Sequence, residues 1–405
     1  MTGVVQGGVA LKGEILVPGS VSESTALIAL AAFSKSSPSL KNIPEAIGIK
    51  TLNEILEKKY EDGVISLDIS YDIEPLFAIP PILYRGFSVA LNYQNDIPKE
   101  FREFIDILLL FNDAKEINKN SYIVKRSSIT DKFTIDLKRH GPDAALFSVL
   151  LAISHGAFAT LLNYPGDPRF LSFLKALEQV GGSILYNDGD NTQSVSVSLQ
   201  PPFEFSLNTV VSYSLYKAAF FSLAAVATGG AVNLRNVNAS EFTPFIAKLL
   251  KWGVSVESNQ SSELRVWGPL SNKNISDNIE IKSYPGFIPS WGYLALVFLT
   301  CFPGNSNLIF PKEYFPQELI KELNRLGGQL DFSLAPGNFC VAIRGQNLKP
   351  GRKILLDNRE HLLPLLLLSL LIPGRTTFIN FEIMRYYYPD VLDLLIRLGA
   401  KIEVS

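Results

Sequence analysis

The sequence repeats a helix that ends in glycine, and this repetition restricts the fold more than any other feature. Four segments of similar pattern end at Gly181, Gly253, Gly327 and Gly399, which are separated by 72, 74 and 72 residues. Each segment follows a more apolar helix that also ends in glycine, and a short strand-like run lies between the two helices. A glycine directly after the last helical residue is typical of a C-cap. The spacing predicts a duplicated helix–strand–helix–strand subdomain, longer than a solenoid repeat.

The last copy shows the pattern best. Residues 362–372 are predicted as a buried helix, 376–381 as a strand, 389–398 as a second helix and 400–404 as a closing strand. A fainter copy opens the chain, and residues 64–115 are predicted to hold a badly eroded one. The alternative is that helix–Gly–strand endings are simply common in α/β proteins.

Length and composition favour a two-domain protein with a large core. The chain has 405 residues, of which 47% are hydrophobic. The net charge of −2 lacks the excess of basic residues that is typical of a nucleic-acid-binding protein. The apolar runs are shorter than the roughly 20 residues that a membrane-spanning helix needs, and the N-terminus lacks a signal-peptide pattern. Two cysteines favour a reducing, cytoplasmic location, and three scattered histidines predict neither a metal site nor a cofactor.

Pro201-Pro202 is the strongest loop signal in the sequence, and it follows a run in which polar and apolar residues alternate. It places a domain crossover near residues 205–209. The predicted domains are therefore a discontinuous one, residues 1–16 with 208–405, and an inserted one, residues 17–207.

Four stretches resemble the enolpyruvyl transferases, chiefly 5-enolpyruvylshikimate-3-phosphate synthase, with UDP-N-acetylglucosamine enolpyruvyl transferase as its relative. LKGEILVPGSVSESTALIALAAF resembles the opening strand, Pro-Gly-Ser-Lys-Ser turn and helix of the family. AAFFSLAAVATGGAVNLRNV resembles the start of its second half, and SYPGFIPSWGYLAL resembles its Tyr-Pro-Gly-Phe segment. The C-terminal stretch from DNREHLL to YYYPDVLDLLIRLGAKIEV resembles the Asp-His-Arg segment and the Lys-Ser-Tyr-Pro-Asp ending.

The resemblance implies an α/β (α+β) fold, a two-domain inside-out barrel built from six helix–strand repeat units. The helices of each domain would lie inside and the sheets outside. In the family, substrates bind in a cleft between the domains, which closes around them. A small anionic molecule is thus the expected cleft ligand, and a protein partner is the alternative.

Enolpyruvyl transfer adds a substrate hydroxyl to C2 of phosphoenolpyruvate and then eliminates phosphate. It needs a proton donor, a base, and cations for the phosphate and carboxylate. The aligned positions have lost most of these groups. The turn lysine corresponds to Val21, the arginine after it to Thr25, the catalytic aspartate to Gly286 or Ser290, and the late lysine to Tyr386.

Three further motif segments are changed. The Ser-Ser-Gln that grips the shikimate phosphate corresponds to Asp143-Ala144-Ala145, and Ser-x-Pro-Tyr corresponds to Gly166-Asp167-Pro168-Arg169. The Lys-Glu-Ser-Asp-Arg loop corresponds at best to Lys312-Glu313-Tyr314-Phe315, which has no arginine. Neither cysteine occupies the place of the reactive cysteine of the UDP-sugar enzyme.

The resemblance leaves five ligand-binding candidates: Ser20, Ser22, Arg102, Asp357 and Arg359. Each arginine has the alternative of being an ordinary surface residue, and Asp357 more simply caps the helix that follows it.

Lys312 and Glu313 are weak catalytic candidates, and a solvated loop is the favoured alternative. Tyr386-Tyr387-Tyr388, with Arg385, would either stack on a planar ligand or form a packed turn.

The sequence therefore predicts an EPSP synthase-like protein that is catalytically degenerate or repurposed and binds a different ligand or partner in the cleft. One alternative is an active but divergent transferase that uses phosphoenolpyruvate and shikimate 3-phosphate. A second alternative is a structural subunit of an assembly.

Overall fold

The computed structural model of the chain describes residues 1–60, 63–69, 72–93, 99–111, 114–118, 120–126, 132–138, 140–188, 193–259, 262–268, 274–345, 348 and 353–405. These residues form two compact units. The discontinuous unit contains Met1–Pro18 and Tyr213–Ser405, and the inserted unit is Gly19–Ser212. The sequence predicted boundaries after residues 16 and 207, and the observed units divide after residues 18 and 212. Each unit has its own apolar core.

The helices of the described chain are α1 (Val21–Ala31), α2 (Ile47–Glu57), α3 (Ile79–Tyr84), α4 (Lys99–Phe111), α5 (Pro142–His155), α6 (Pro168–Gln179), α7 (Leu215–Ala227), α8 (Thr243–Lys251), α9 (Pro289–Cys301), α10 (Gln317–Arg325), α11 (Leu362–Leu371), α12 (Glu382–Tyr387) and α13 (Pro389–Arg397). Short 3₁₀ helices lie at Glu74–Ala78, Lys312–Tyr314 and Arg359–His361.

The strands are β1 (Thr2–Gly7), β2 (Lys12–Leu16), β3 (Ser39–Lys41), β4 (Val64–Ile69), β5 (Ser88–Tyr93), β6 (Lys115–Asn118), β7 (Ser121–Val124), β8 (Lys132–Asp136), β9 (Phe158–Leu162), β10 (Ser183–Asp188), β11 (Gln193–Ser198), β12 (Asn208–Val210), β13 (Ala231–Arg235), β14 (Ser255–Asn259), β15 (Glu263–Trp267), β16 (Asn278–Glu280), β17 (Gly304–Pro311), β18 (Leu330–Ala335), β19 (Asn338–Gly345), β20 (Lys353–Leu355), β21 (Gly374–Ile379) and β22 (Lys401–Val404).

Within these segments, one sheet topology recurs in five four-stranded sheets. The first and second strands of a repeat are parallel, the second pairs antiparallel with the fourth, and the fourth pairs antiparallel with the third. One helix follows the first strand and another follows the second, as in β16–α9–β17–α10–β18–β19. The predicted repeat is confirmed, and it is two strands longer than the sequence pattern showed.

The two helices of each repeat differ in burial. In the discontinuous unit α7, α9 and α11 are almost wholly buried and contact one another, as α1, α3 and α5 do in the inserted unit. The second helix is amphipathic, and α6, α8, α10 and α13 are each followed by a glycine with positive φ, for example Gly253 (80°) and Gly399 (102°). The two-domain α/β fold, with helices inside each unit and sheets outside, is therefore confirmed.

The repeat that opens the inserted unit is incomplete. Its sheet has only the parallel strands β3 and β12 within the described chain. Residues 58–63 separate α2 from β4, whereas residues 252–277 separate α8 from β16 and residues 326–352 separate α10 from β20. Six residues are too few for two strands and a turn.

The copy predicted at residues 64–115 is present, but its structure is complete rather than eroded. That region forms β4, β5 and β6, which complete a four-stranded sheet with β7. The lost strands belong instead to the opening repeat, where weak sequence similarity alone did not reveal their absence.

Candidate functional site

In the inserted unit, the first turn of α1 carries a buried carboxylate. Ser20 caps this helix, and its Oγ accepts a hydrogen bond from the backbone N–H of Glu23 at 3.3 Å. Glu23 is 1% exposed. Its Oε1 accepts from the hydroxyl of Ser172 at 2.7 Å and its Oε2 accepts from the N–H of Ser212 at 3.1 Å. Burial raises the pKa of Glu23 to about 7, against the lowering effect of these hydrogen bonds.

A bidentate ion pair lies beside Glu23 at the first turn of α6. The Nε and Nη2 of Arg169 donate to the two oxygens of Asp167, each at 2.8 Å. Asp167 is also the N-cap of α6 and accepts from the backbone N–H of Arg169 at 2.9 Å. The remaining terminal nitrogen, Nη1, lies 3.5 Å from the hydroxyl of Ser22. Most of the hydrogen-bonding capacity of this guanidinium is therefore used inside the chain.

A third carboxyl group joins the cluster from the first turn of α5. Burial raises the pKa of Asp143, although Arg169 and a hydrogen bond with Ser22 act in the opposite direction. Its Oδ1 is buried and has no hydrogen-bond partner among the described residues. Glu23, Asp143 and Asp167 thus surround one guanidinium. We call these four residues the acidic cluster.

The acidic cluster forms where three aligned motif segments meet: the opening turn, Asp143-Ala144-Ala145 and Gly166-Asp167-Pro168-Arg169. Helix N-termini carry partial positive charge and attract anions. In this chain the first turns of α1 and α5 carry their own carboxyl groups, and the N-cap carboxylate of α6 is paired with Arg169. Chemically, the arrangement suits hydrogen bonding to neutral or cationic groups and disfavours phosphate.

The candidates Ser20 and Ser22 contact members of the acidic cluster, namely Glu23 and Arg169. Arg102 lies elsewhere in the same unit. Arg102 is exposed on α4, and its charge acts on Tyr122 of β7. The sequence reasoning named Ser20 and Ser22 but missed Glu23 as a site residue. The sequence feature that could have revealed Glu23 is an acidic side chain within the first turn of an otherwise apolar helix.

In the discontinuous unit, Arg359 lies in a 3₁₀ turn before α11. Its guanidinium carbon is 4.8 Å from the ring centroid of Tyr387. The favoured prediction that Asp357 caps this turn is wrong, because Asn358 is the cap and its side chain accepts from the N–H of Glu360 at 2.9 Å. Asp357 itself is exposed.

The loop that corresponds to the family's Lys-Glu-Ser-Asp-Arg segment is fixed to its own sheet. Lys312 and Glu313 are exposed on a single 3₁₀ turn. Phe315 stacks on Phe339 with ring centroids 4.1 Å apart and also contacts Phe332 at 5.0 Å. Phe315 therefore supplies packing to a segment that lacks the expected arginine.

Sequence reasoning also missed a buried ion pair in the discontinuous unit. Lys217 is 2% exposed near the start of α7, and its Nζ donates to Asp390 in the first turn of α13. Burial lowers the pKa of Lys217, and Asp390 opposes that shift. A single lysine in the apolar segment LYKAAFFSLAAVA was the available signal.

The described parts of the chain contain neither a metal-binding group of side chains nor a membrane-spanning helix. No three His, Cys, Asp or Glu side chains there are grouped so that they would hold a metal ion. No helix there combines the length and apolar character that crossing a membrane requires.

Curated proteins with similar sequences are UDP-N-acetylglucosamine 1-carboxyvinyltransferases. That of Chlorobium phaeovibrioides is 25% identical over 437 aligned positions, and isoform 2 of Listeria monocytogenes is 23% identical over 426. Both alignments cover 99% of this chain and 97% of the relative. No protein-family model matches the chain.

Solved structures with the same fold include two enolpyruvyl transferases. The enolpyruvyl transferase NikO from Streptomyces tendae superposes with a TM-score of 0.79 at 18% identity, over 99% of this chain and 98% of that one. EPSP synthase from Acinetobacter baumannii superposes with a TM-score of 0.71 at 15% identity, over 100% and 99% of the two chains. The resemblance to enolpyruvyl transferases is confirmed, and these sequence relatives lie in the UDP-sugar branch rather than the synthase branch.

Proposed function

Since the chain resembles the enolpyruvyl transferases over its whole length, we propose that it is a repurposed relative that binds a different ligand and does not transfer enolpyruvyl groups to the usual acceptors. The acidic cluster carries this proposal. Its three carboxyl groups lie around a single guanidinium, and Arg169 already has both oxygens of Asp167 as partners.

The energetic argument concerns charge. Each hydrogen bond between a protein cation and a ligand anion contributes about 1.5–3 kcal/mol, so several lost cations remove most of the affinity for a phosphorylated substrate. Val21, Thr25 and Tyr386 stand at positions where the family has basic residues. The carboxyl groups of Glu23 and Asp143 add repulsion whenever they are ionised.

The proposed ligand of the inserted unit is therefore a neutral or cationic small molecule that bears hydroxyl or amino groups. Ser22, Asp143 and Arg169 are partly exposed residues, so such a molecule would lie against them. The buried Oδ1 of Asp143 requires a donor that the described residues do not supply.

The second candidate function is carboxyvinyl transfer to a UDP-sugar, because the relatives named for that activity align with 99% of this chain. In that case the predicted candidates Arg102, Arg359, Lys312 and Glu313 would rebuild a divergent site. The same assay separates the two functions.

Phosphate release is to be measured with phosphoenolpyruvate plus UDP-N-acetylglucosamine, and with phosphoenolpyruvate plus shikimate 3-phosphate. The Listeria monocytogenes relative serves as the positive control for the first pair. We expect no release above the rate without protein, and calorimetry is expected to detect no binding of phosphoenolpyruvate. Turnover at a rate near that of the control would overturn the proposal and establish the second candidate.

A further inference from the structure

Strand β18 leaves one side of its sheet open. The strands of this sheet have the order β16-β17-β19-β18, so within the described chain β18 pairs with β19 on one side and with no strand on the other. An open edge of this kind presents backbone N–H and C=O groups that can pair with a further strand. The backbone groups and side chains of this edge decide which partner it can take.

The backbone groups of β18 alternate between β19 and the open side. Ala335 pairs with Asn338 across a two-residue turn, so the odd-numbered residues of β18 bond to β19 and the even-numbered residues direct their groups outward. Leu330 confirms this direction, because its N–H donates to the side-chain oxygen of Asn324 at 2.9 Å and its C=O accepts from the side-chain nitrogen at 2.8 Å. The amide of Asn324 thus replaces a neighbouring strand at the first outward position.

Two outward positions, Phe332 and Leu334, are left without such a replacement. Their outward N–H and C=O groups have no hydrogen-bond partner within the described chain. Their side chains are 47% and 73% exposed and share one face of the sheet. Phe332 lies 5.0 Å from Phe315, and Leu334 pairs directly with Phe339. Unpaired backbone groups and exposed apolar surface therefore coincide at the same two residues.

The corresponding edge strands of other repeats are better protected. Strands β6 and β22 each carry an exposed lysine and an exposed glutamate, and β14 carries the exposed Glu257. Charged side chains, above all lysine, are the usual protection of an open edge. On β10 the exposed Leu185 and Tyr186 are neighbours in sequence, so they lie on opposite faces and form no joint apolar surface. The one charged residue of β18 is Asp331.

The sequence of β18 is self-complementary in one antiparallel register. When a two-fold axis passes through Ser333, Phe332 of each copy lies opposite Leu334 of the other. These pairs place apolar side chains against each other, and they use the two outward positions that lack a partner. Asp331 falls opposite Ala335, so no like charges meet. A second copy of the chain therefore matches this edge in both polarity and charge.

We propose that two copies of the chain associate through β18, which joins two four-stranded sheets into one continuous sheet. Each Phe332–Leu334 pair exchanges two backbone hydrogen bonds, and the apolar surface beside Phe315 and Phe339 is removed from water. Because both copies use the same strand, the association closes at the dimer and does not extend into a filament. The contact is small for a permanent dimer, so the association is weak and reversible.

Sedimentation equilibrium of the full chain, up to several hundred micromolar, tests the association. We expect a reversible monomer–dimer equilibrium. Leu334→Lys should weaken it by at least about tenfold, because it removes an apolar contact and places two like charges near the two-fold axis. Leu185→Lys is the matched control, since Leu185 is an exposed leucine on an edge strand of the other unit, and it should associate like the unaltered chain.

Both lysine variants replace exposed side chains, so their melting temperatures should stay close to that of the unaltered chain. A monomer at every concentration would overturn the proposal. Species larger than a dimer, or an equal effect of the two substitutions, would also overturn it.

Cross-linking checks the register. In the proposed dimer the two Ser333 residues form a non-hydrogen-bonded pair with Cα atoms about 4.5 Å apart, which suits a disulfide. Ser333→Cys should therefore give a covalent dimer on mild oxidation, in a Cys340→Ser background that removes the native cysteine opposite this position. Asp331→Cys in the same background is the control, because its two copies would lie about 14 Å apart.

Equal cross-linking of the two cysteine variants, or none of Ser333→Cys, would refute the proposed pairing. None of these measurements depends on transferase activity. The proposed dimer and the proposed function are therefore tested separately.

Discussion

Asp167 holds the guanidinium of Arg169 through two parallel hydrogen bonds of 2.8 Å, and the same carboxylate caps α6. One acidic residue thus neutralises the cation and stabilises the helix on which that cation is placed. The side chain of Arg169 is 23% exposed, so it is within reach of solvent while already paired. This relationship gives the acidic cluster its character, and it leads to the first prediction.

Asp167→Asn should convert the cluster into an anion site. Asparagine is an equally good N-cap, so α6 should be retained while the charge that occupies Arg169 is removed. We expect the free energy of unfolding in urea to fall by about 2–3 kcal/mol, at the low end for a buried pair because Arg169 is partly exposed. Inorganic phosphate should then raise the melting temperature of the variant. Asp331→Asn, an exposed position on β18, is the control, and phosphate stabilisation of that control alone would contradict the prediction.

Glu23 should make the protein less stable as the pH rises towards neutrality. In the unfolded chain a glutamate loses its proton near pH 4.5, whereas burial holds the proton in the folded state up to about 7. Unfolding therefore releases a proton between these values, and stability falls with rising pH by roughly 2–3 kcal/mol. The free energy of unfolding of the Glu23→Gln variant should change less between pH 5 and pH 8, as measured by urea denaturation at both pH values. A parallel pH dependence in both proteins would show that Glu23 is not the group responsible.

Asp277 should produce the opposite pH dependence. Burial would raise its pKa, but hydrogen bonds from Lys251 and Lys248 outweigh that effect and lower it, with a further one from the indole of Trp252. The stability that this pairing provides is present above the unfolded pKa of 3.8 and is lost as the pH falls through the folded value. Asp277→Asn should lose about 3 kcal/mol at pH 7, measured by chemical denaturation.

Lys251→Met is the matched control for Asp277. Its amino group contacts the same carboxylate, but its side chain is 54% exposed, so its loss should cost below about 1 kcal/mol. Equal losses for the two variants would mean that the interaction depends on the exposed lysine rather than on the buried carboxylate.

Lys217→Met should strongly destabilise the discontinuous unit. Methionine fills a similar volume, but Asp390 then remains in a nearly buried position without its counter-charge, which costs about 3–5 kcal/mol. The double variant Lys217→Met/Asp390→Asn should recover much of that loss, as a double-mutant cycle in urea would show. Additive losses would mean that the two side chains are not coupled.

Local sequence signals predicted much of the inner architecture. The bounds of α5 (Pro142–His155) follow from local signals, because a proline at the first turn and a glycine after the last turn mark both ends. The capping glycines also have the expected positive φ. By contrast, the two prolines in residues 79–81 do not break a helix. They form the start of α3, since prolines in a first turn have no intrahelical N–H bond to lose.

Long-range contacts account for what the sequence did not predict. Strand β1 was missed because its partners β21 and β22 lie at the opposite end of the chain. Similarly, the acidic cluster joins the first turn of α1 to the first turns of α5 and α6, which lie more than 100 residues later in the sequence. Single motifs identified Ser22 as a binding candidate and Arg169 as an altered family position without showing that the two side chains meet. Lys217 and Asp390, which are 173 positions apart, were missed for the same reason.

The interleaved connection of the repeats affects how the chain is built on the ribosome. The repeat that starts at β2 continues only at α7, and β1 is paired on both sides by strands that are among the last to be made. The inserted unit has all of its strands once residue 212 has emerged. Strand β1 therefore lacks both of its native partners until residues 374–404 have been made, and a stop before those residues leaves that strand with exposed edges.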